Sequence, residues 1–137
     1  MVANLDPIFI KTTKTSQAVA TLANNDVDDN PVGTVLLTTS GNEGSIVTNI
    51  TALARASLAS SMACYLYLSK DNGVTQRLLS VKLMASFTFS PTTAQIPVDF
   101  GYSETLPLKL EAGDQIYCGI ATALVGGVVF TCQRQDY

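Results

Sequence analysis

The sequence predicts an all-β protein with the architecture of an antiparallel β-sandwich. Short apolar runs alternate with polar residues and are separated by turn residues, at intervals of roughly 8–12 residues that are typical of sandwiches and barrels. Only 14% of the residues are charged, whereas ordinary globular proteins have ~25%. Thr, Ser, Asn and Gln replace much of that charge, and β-branched Thr packs well on a pleated sheet.

The length of 137 residues corresponds to one domain. We expect a single sandwich domain over residues 1–137, with a short extended arm over about residues 1–7. Pro7 supports the arm because it favours extended backbone at Asp6. A domain of this size buries about two thirds of the surface that its unfolded chain exposes, so folding requires neither a metal nor a disulfide.

The first half of the chain predicts four strands, over residues 8–13, 17–22, 33–39 and 46–56. A dense cluster of Asn and Asp between residues 24 and 31 predicts a surface loop. In the fourth strand, Ile46, Thr48 and Ile50 are expected on one face, opposite Val47 and Asn49. The Ala-rich stretch 51–61 also suits a helix, but no capping box precedes it, and a strand to residue 56 is preferred.

The second half predicts a hairpin followed by several short strands. Residues 62–69 and 76–84 form the hairpin, because Asn72-Gly73 supplies the positive φ angles of a primed turn. Pro97 lacks an N–H, which places its segment at a sheet edge. Turns are expected at residues 111–114 and 126–127. The further predicted strands cover residues 85–89, 95–100, 106–110, 115–122 and 128–133, with Ile116, Cys118, Ile120, Val128, Phe130 and Cys132 facing inward.

The three cysteines, Cys64, Cys118 and Cys132, are too few and odd in number for a disulfide framework. Each lies within an apolar strand pattern, so we predict buried thiols in a protein made in a reducing cytoplasm. Residues 1–14 lack the basic start and apolar stretch of a signal peptide. No run approaches the ~18 apolar residues of a transmembrane helix, and we expect no membrane partner.

The residues that carry chemistry are sparse. The chain contains no histidine, which excludes Ser-His-Asp and Cys-His sites and removes the commonest metal ligand. Asp26, Asp28 and Asp29 form the one close carboxylate cluster, but they lack the Gly and Glu of a calcium loop and predict a solvated turn. The net charge of −3 without a basic run disfavours nucleic-acid binding. We therefore expect no catalytic residue, no metal, no cofactor and no enzyme activity.

Tyr65 and Tyr67 alternate with aliphatic residues, so they share one face of the strand over residues 62–69. Two interpretations remain open for this pair. Stacked tyrosines bind sugars or bases, and a sheet face covered by a neighbouring strand or subunit places them equally well.

The order of motifs resembles small virion proteins of tailed phages, the head decoration or cement proteins, most closely the jelly-roll cement type of a Bordetella phage. The motifs are Asp-Pro-Ile-Phe-Ile-Lys-Thr at residues 6–12, a Gly-rich turn and alternating strand at 44–50, Asp-Asn-Gly at 71–73, and Pro-Leu-x-Leu-x-Ala-Gly-Asp-x-Ile-Tyr at 107–117. The resemblance covers most of the chain. It implies a jelly roll without catalytic residues.

The resemblance also implies a location on the outer surface of the capsid. The protein would bind the phage major capsid protein, cement neighbouring copies of it, stabilise the DNA-filled head and associate with itself as a dimer or trimer. An extended arm can add to a neighbour's sheet. The predicted partner-binding residues are Leu5, Pro7, Ile8, Phe9, Tyr65 and Tyr67.

Two other functional classes compete with this interpretation. A tail-fibre or carbohydrate-binding module for receptor attachment would use Tyr65, Tyr67 and Tyr102 as its binding aromatics. A jelly-roll enzyme such as a cupin or a glycosidase ranks last, because cupins normally hold their metal through histidine and this chain has none.

Overall fold

The computed structural model describes residues 10–137, so the predictions for Leu5, Pro7, Ile8 and Phe9 lie outside the described residues. Every regular element from residue 10 onward is a strand. The nine strands are β1 (Thr12–Ala20), β2 (Val35–Thr39), β3 (Ser45–Ala54), β4 (Met62–Ser69), β5 (Arg77–Met84), β6 (Val98–Asp99), β7 (Leu108–Leu110), β8 (Gln115–Ile120) and β9 (Val128–Asp136).

The strands form two antiparallel sheets that pack as a sandwich. The first sheet has the order β1-β9-β3, with β6 and β7 both paired to the far edge of β3, and the second has the order β2-β8-β4-β5. Most consecutive strands therefore alternate between the sheets, and β6 and β7 act as two halves of one interrupted strand. This is the double-sheet arrangement of a jelly roll. The predicted fold class, an all-β antiparallel sandwich of jelly-roll type, is confirmed.

Alternating side chains from both sheets fill the space between them. The predicted inward residues of β8 and β9 are all fully buried, and the Phe100 and Phe130 rings pack with centroids 6.1 Å apart. The three cysteine side chains are buried free thiols, as predicted. The Asn-Gly hairpin is also confirmed, since Asn72 has φ 59° and Gly73 has φ 89°.

The predicted facing of β3 is wrong in its first half. The register of β3 against β9 shifts between Val47 and Asn49, which inserts Thr48 as an extra residue. A bulge interrupts the alternation of side chains between the two faces of a strand. Residues before the bulge therefore face the side opposite to the one predicted by counting back from the residues after it. Val47 is therefore fully buried together with Ile50, whereas Ile46 is only half-buried.

Several predicted boundaries also differ from the structure. In place of the two strands predicted over 8–13 and 17–22, the described residues form one strand, because residues 12–20 all pair with β9 without a break. Residues 85–89 contribute one isolated bridge, from Phe87 to Leu58, because they face a loop that offers no ladder of backbone partners. β3 ends at Ala54, two residues before the predicted end. The edge position predicted from Pro97 is confirmed, since β6 lies at the edge of the first sheet.

Candidate interaction surface

The strand register assigns the connections to two opposite ends of the sandwich. Ala20, Val128 and Ala54 are paired at one end of the first sheet, whereas Thr12, Asp136 and Ser45 are paired at the other. We call the first of these the loop end, formed by residues 55–61, 85–97 and 121–127. We call the second the turn end, formed by the tight connections at residues 40–44, 70–76 and 111–114.

Backbone and side-chain hydrogen bonds hold the three segments of the loop end together. The Arg55 amide donates to the Gly127 carbonyl at 3.0 Å, and Leu58 and Phe87 exchange two backbone hydrogen bonds. The Gln95 side chain donates to the Ala54 carbonyl at 2.9 Å. Segments that are far apart in the chain therefore form one continuous surface.

The loop end carries almost no charge. Arg55 is the single charged residue in its three segments, and the Arg55 Nε donates to the Gly126 carbonyl at 2.6 Å. Apolar side chains protrude instead: Val125 is 94% exposed, Ile96 is 90% exposed, and Phe89 is also exposed. Covering such a surface costs little desolvation, because almost no ion has to leave water.

The turn end is charged. Lys11 Nζ lies 3.1 Å from Glu43 Oε2, and Lys70 Nζ lies 3.3 Å from Glu111 Oε2 and 3.0 Å from Asp114 Oδ2. Most of these side chains are exposed, so their ion pairs contribute little stability and mark a solvated surface.

One ion pair at the turn end is nearly buried and joins the two sheets. Arg134 Nε donates to Asp136 Oδ1 at 2.9 Å, and Arg134 also donates to the Thr38 hydroxyl on β2. Ser45 on β3 donates to the same Asp136 carboxylate. Burial alone would raise the pKa of Asp136, but the hydrogen bonds from Arg134 and Ser45 outweigh burial and lower that pKa below its ordinary value.

The tyrosine face of β4 is covered by the chain's own β1–β2 loop. Tyr67 is fully buried, its hydroxyl accepts from Asn24 Nδ2 at 2.7 Å, and it donates to the Asp26 carbonyl at 2.7 Å. The backbone of Asn24 is also anchored, because its N–H donates to the Ile120 carbonyl of β8 at 2.8 Å. Burial raises the pKa of Tyr67, and the hydrogen bond from Asn24 offsets only part of that rise.

The structure therefore places the predicted binding tyrosines away from solvent. Tyr65 is 8% exposed and lies beside Tyr67 with ring centroids 6.1 Å apart. Tyr102 follows β6 in the other sheet and packs against the core, so it does not join them in one platform. For Tyr67, the covering segment is the β1–β2 loop of the same chain.

A groove opens beside the free edge of β5. Its volume is about 550 Å³, and it is lined by residues 82–90 and 93–99. Leu83, Phe89 and Ile96 line it with exposed apolar side chains. Lys82 and Asp99 are its two charged lining residues. We call it the β5 groove. It is not predictable from the sequence, because residues 85–89 and 95–100 are predicted as regular strands.

Two further features of the structure concern metal binding and membrane insertion. Across residues 10–137, no group of three or more His, Cys, Asp or Glu side chains is arranged to hold a metal ion. Asp26 takes part in a local turn, where its carboxylate accepts from the Asp28 amide at 2.8 Å. In the same residues, no helix has the length and apolarity needed to cross a membrane.

Comparison with known proteins finds likeness among solved structures alone. No protein-family model matches the chain, and no curated protein matches it. Among solved structures, a pentameric capsid protein isolated from metagenomic phage sequences is similar, with 16% identity and a TM-score of 0.41 over 90% of this chain and 67% of that chain. A likeness at this level assigns no function to this chain.

Proposed function

We propose that this chain is a structural virion protein that binds the outside of a phage capsid. In this role it cements neighbouring major capsid proteins and stabilises the DNA-filled head. The observation that carries the proposal is the loop end, a surface with one charged residue and the protruding Val125 side chain. The order of sequence motifs that resembles cement proteins supports the same role.

The physics of the loop end suits attachment to an assembled shell. The cores of protein interfaces are depleted in charge, and an apolar patch rimmed by Ser and Thr matches that composition. Each copy needs only modest affinity, because contacts repeated over a closed lattice raise the effective concentration of every further contact. The solvated turn end would then face outward and keep the decorated particle soluble.

The jelly roll serves as a rigid support for this surface. The loops of the surface are tied to one another by hydrogen bonds at Arg55, Leu58 and Gln95, so little conformational entropy is lost when a partner covers them. Leu5, Pro7, Ile8 and Phe9 remain predicted partner-binding residues, and that prediction rests on the sequence.

Co-sedimentation of the purified protein with empty, undecorated heads tests the proposal, with free capsid subunits as the comparison. We expect saturable binding to heads at a fixed ratio to the capsid protein and none to free subunits. Val125→Asp places a charge on the loop end and should weaken head binding about tenfold or more, because the carboxylate must be desolvated.

Val74→Asp is the matched control, since Val74 is 73% exposed in the hairpin at the turn end. It should bind heads like the unmodified chain. Equal loss of binding in both variants would show that added negative charge, and not its position, is responsible. Absence of binding to heads together with binding on a glycan array would favour the receptor-attachment module.

A further inference from the structure

We propose that the β5 groove is a receptor for residues 1–9 of a second copy of this chain. Leu5, Ile8 and Phe9 of the incoming segment fill the groove, and Asp6 pairs with Lys82 at its rim. This contact between copies goes beyond the proposed binding to heads, and it is tested in their absence.

The groove has the size and lining of a binding site. Ligand sites that enclose most of a bound molecule measure ~300–1,000 Å³, and the β5 groove measures about 550 Å³. Single exposed apolar residues are normal on protein surfaces, but a contiguous apolar patch marks an interaction site. Leu83, Phe89 and Ile96 form such a patch along one groove.

The occupant is identified by composition and charge. Residues 1–9 read Met-Val-Ala-Asn-Leu-Asp-Pro-Ile-Phe, which is apolar apart from Asn4 and carries one charge, on Asp6. Pro7 restricts the backbone of Asp6 to extended geometry, which lowers the entropy lost when the segment is bound.

The charges of the groove match that single carboxylate. Lys82 is exposed and has no ion-pair partner within residues 10–137. The carboxylate of Asp99 is already occupied, because it accepts from the Gly101 amide at 2.8 Å. Lys82 therefore gives the groove one cation for an incoming Asp6.

The position of Ile10 indicates that the segment comes from another copy. The described chain begins at the turn end, where Lys11 donates to the Asp136 carbonyl, while the groove lies beside the loop end. The near rim of the groove, at Asp99, is level with Gln17 of β1 through the pairs Asp99–Thr51, Thr51–Thr131 and Thr131–Gln17, which is ~23 Å along the strand from Ile10. Phe9 is bonded directly to Ile10, with ~3.8 Å between their Cα atoms, so it cannot enter the groove of its own chain.

The test compares two full-length variants with opposite defects. Phe9→Ser removes an anchor from the segment and leaves the groove intact, whereas Ile96→Ser alters the groove and leaves the segment intact. Ile96 is 90% exposed, so its replacement should not change the melting temperature. Sedimentation velocity over a concentration series should show self-association of the unmodified chain and a dissociation constant raised at least about tenfold in each variant.

Mixing the two variants gives the decisive measurement. The Ile96→Ser chain can donate its segment to the groove of the Phe9→Ser chain, so the mixture should form a 1:1 complex that neither variant forms alone. Val32→Ser is the control, because Val32 is 79% exposed in the β1–β2 loop away from the groove; it should associate like the unmodified chain.

Charge exchange tests the polar contact separately. Asp6→Lys and Lys82→Asp should each weaken association, and the double variant should recover it. A monomeric unmodified chain, association unchanged in both single-defect variants, or a mixture that stays dissociated would each overturn the proposal. Because these samples contain no heads, failure here is independent of the co-sedimentation result.

Discussion

Replacing Tyr67 by Phe separates a structural role of this side chain from a role in partner binding. The ring stays buried, and only the hydroxyl is lost. That hydroxyl accepts from Asn24 Nδ2 and donates to the Asp26 carbonyl, both at 2.7 Å. These two contacts pin the β1–β2 loop to the outer face of the second sheet.

The expected loss in free energy of unfolding follows from the two groups that lose the Tyr67 hydroxyl as a partner, Asn24 Nδ2 and the Asp26 carbonyl. Asn24 is only 4% exposed, so its amide would keep little access to water in the variant. Leaving a buried donor unsatisfied costs ~1–3 kcal/mol. The Asn24 side-chain oxygen, Oδ1, still accepts from the Asp26 backbone amide, so the loop should loosen without detaching. With a urea m-value of ~2 kcal/mol/M, the unfolding midpoint should fall by about 1 M.

Urea titration followed by circular dichroism measures this effect. Tyr65→Phe is the control, because the Tyr65 hydroxyl has no hydrogen-bond partner in residues 10–137, and its midpoint should barely move. Asn24→Ala should also destabilise the chain. The double variant with Tyr67→Phe should lose less than the sum, because both changes break the same contact.

Two results would refute this interpretation of Tyr67. An unchanged urea midpoint in Tyr67→Phe would show that the hydroxyl does not hold the loop. Unchanged stability combined with weakened binding to heads would show that Tyr67 contacts a partner, as the sequence predicts. Destabilisation with head binding preserved at saturating concentration is the expected pattern.

Thiol reactivity and acid stability provide two further tests. The three buried thiols should react slowly with a thiol reagent until urea unfolds the chain. Burial raises the pKa of Cys64, Cys118 and Cys132, to about 12 for Cys64 and Cys132, and so suppresses the reactive thiolate. Fast labelling of all three in the folded chain would contradict their placement. The lowered pKa of Asp136 stabilises the fold above the unfolded value of ~3.9, and this contribution is lost as pH falls through the folded value. Urea midpoints measured from pH 6 to pH 3 should therefore fall more steeply in the unmodified chain than in Asp136→Asn, and equal slopes would rule out this contribution.

The parts of the fold that depend on local signals were predictable. Asn72-Gly73 demands positive φ angles wherever it occurs, so the hairpin could be placed from two residues. β8 and β9 alternate without interruption and bury the residues that the alternation selects. In these elements the period of the side chains and the geometry of the strand agree along their whole length.

The parts that depend on distant contacts were not predictable. The bulge at Thr48 exists only relative to β9, more than eighty residues away, and the apolar pattern of β3 alone does not reveal it. Likewise, Asn24 belongs to a segment that predicts a solvated loop, yet its side chain is buried against Tyr67, 43 positions away. Both errors have the same cause: the register of a strand and the burial of a loop residue depend on a second segment that is distant in the sequence.

The loop end shows both situations at once. The lack of charge is visible in the sequence, since Arg55 is the single charged residue among residues 55–61, 85–97 and 121–127. That these segments meet is a consequence of the jelly-roll strand order, which the residues themselves did not specify. The sequence therefore shows which segments lack charge, and the strand order brings these segments together into one surface.

The strand edges explain why contacts between copies should use the groove and not an extended sheet. At one side, the edge strands β1 and β2 are joined by Ser16 and Thr38, whose hydroxyls lie 3.4 Å apart, and Arg134 bonds to both. At the other side, the register shift opposite Leu66 and Tyr67 leaves Leu79 unpaired, so β5 is not flat.

Lys82 adds a charge to this second edge. It pairs with Cys64, whose side chain is fully buried, so Lys82 lies on the inner face of β5, but its side chain stays exposed at the open edge of the sheet. Inward-pointing charges and bulges are the devices by which edge strands avoid pairing with another chain. The same lysine that disfavours a fifth strand in this sheet is available to a single incoming carboxylate, which is why the β5 groove selects a short acidic and apolar segment over another sheet.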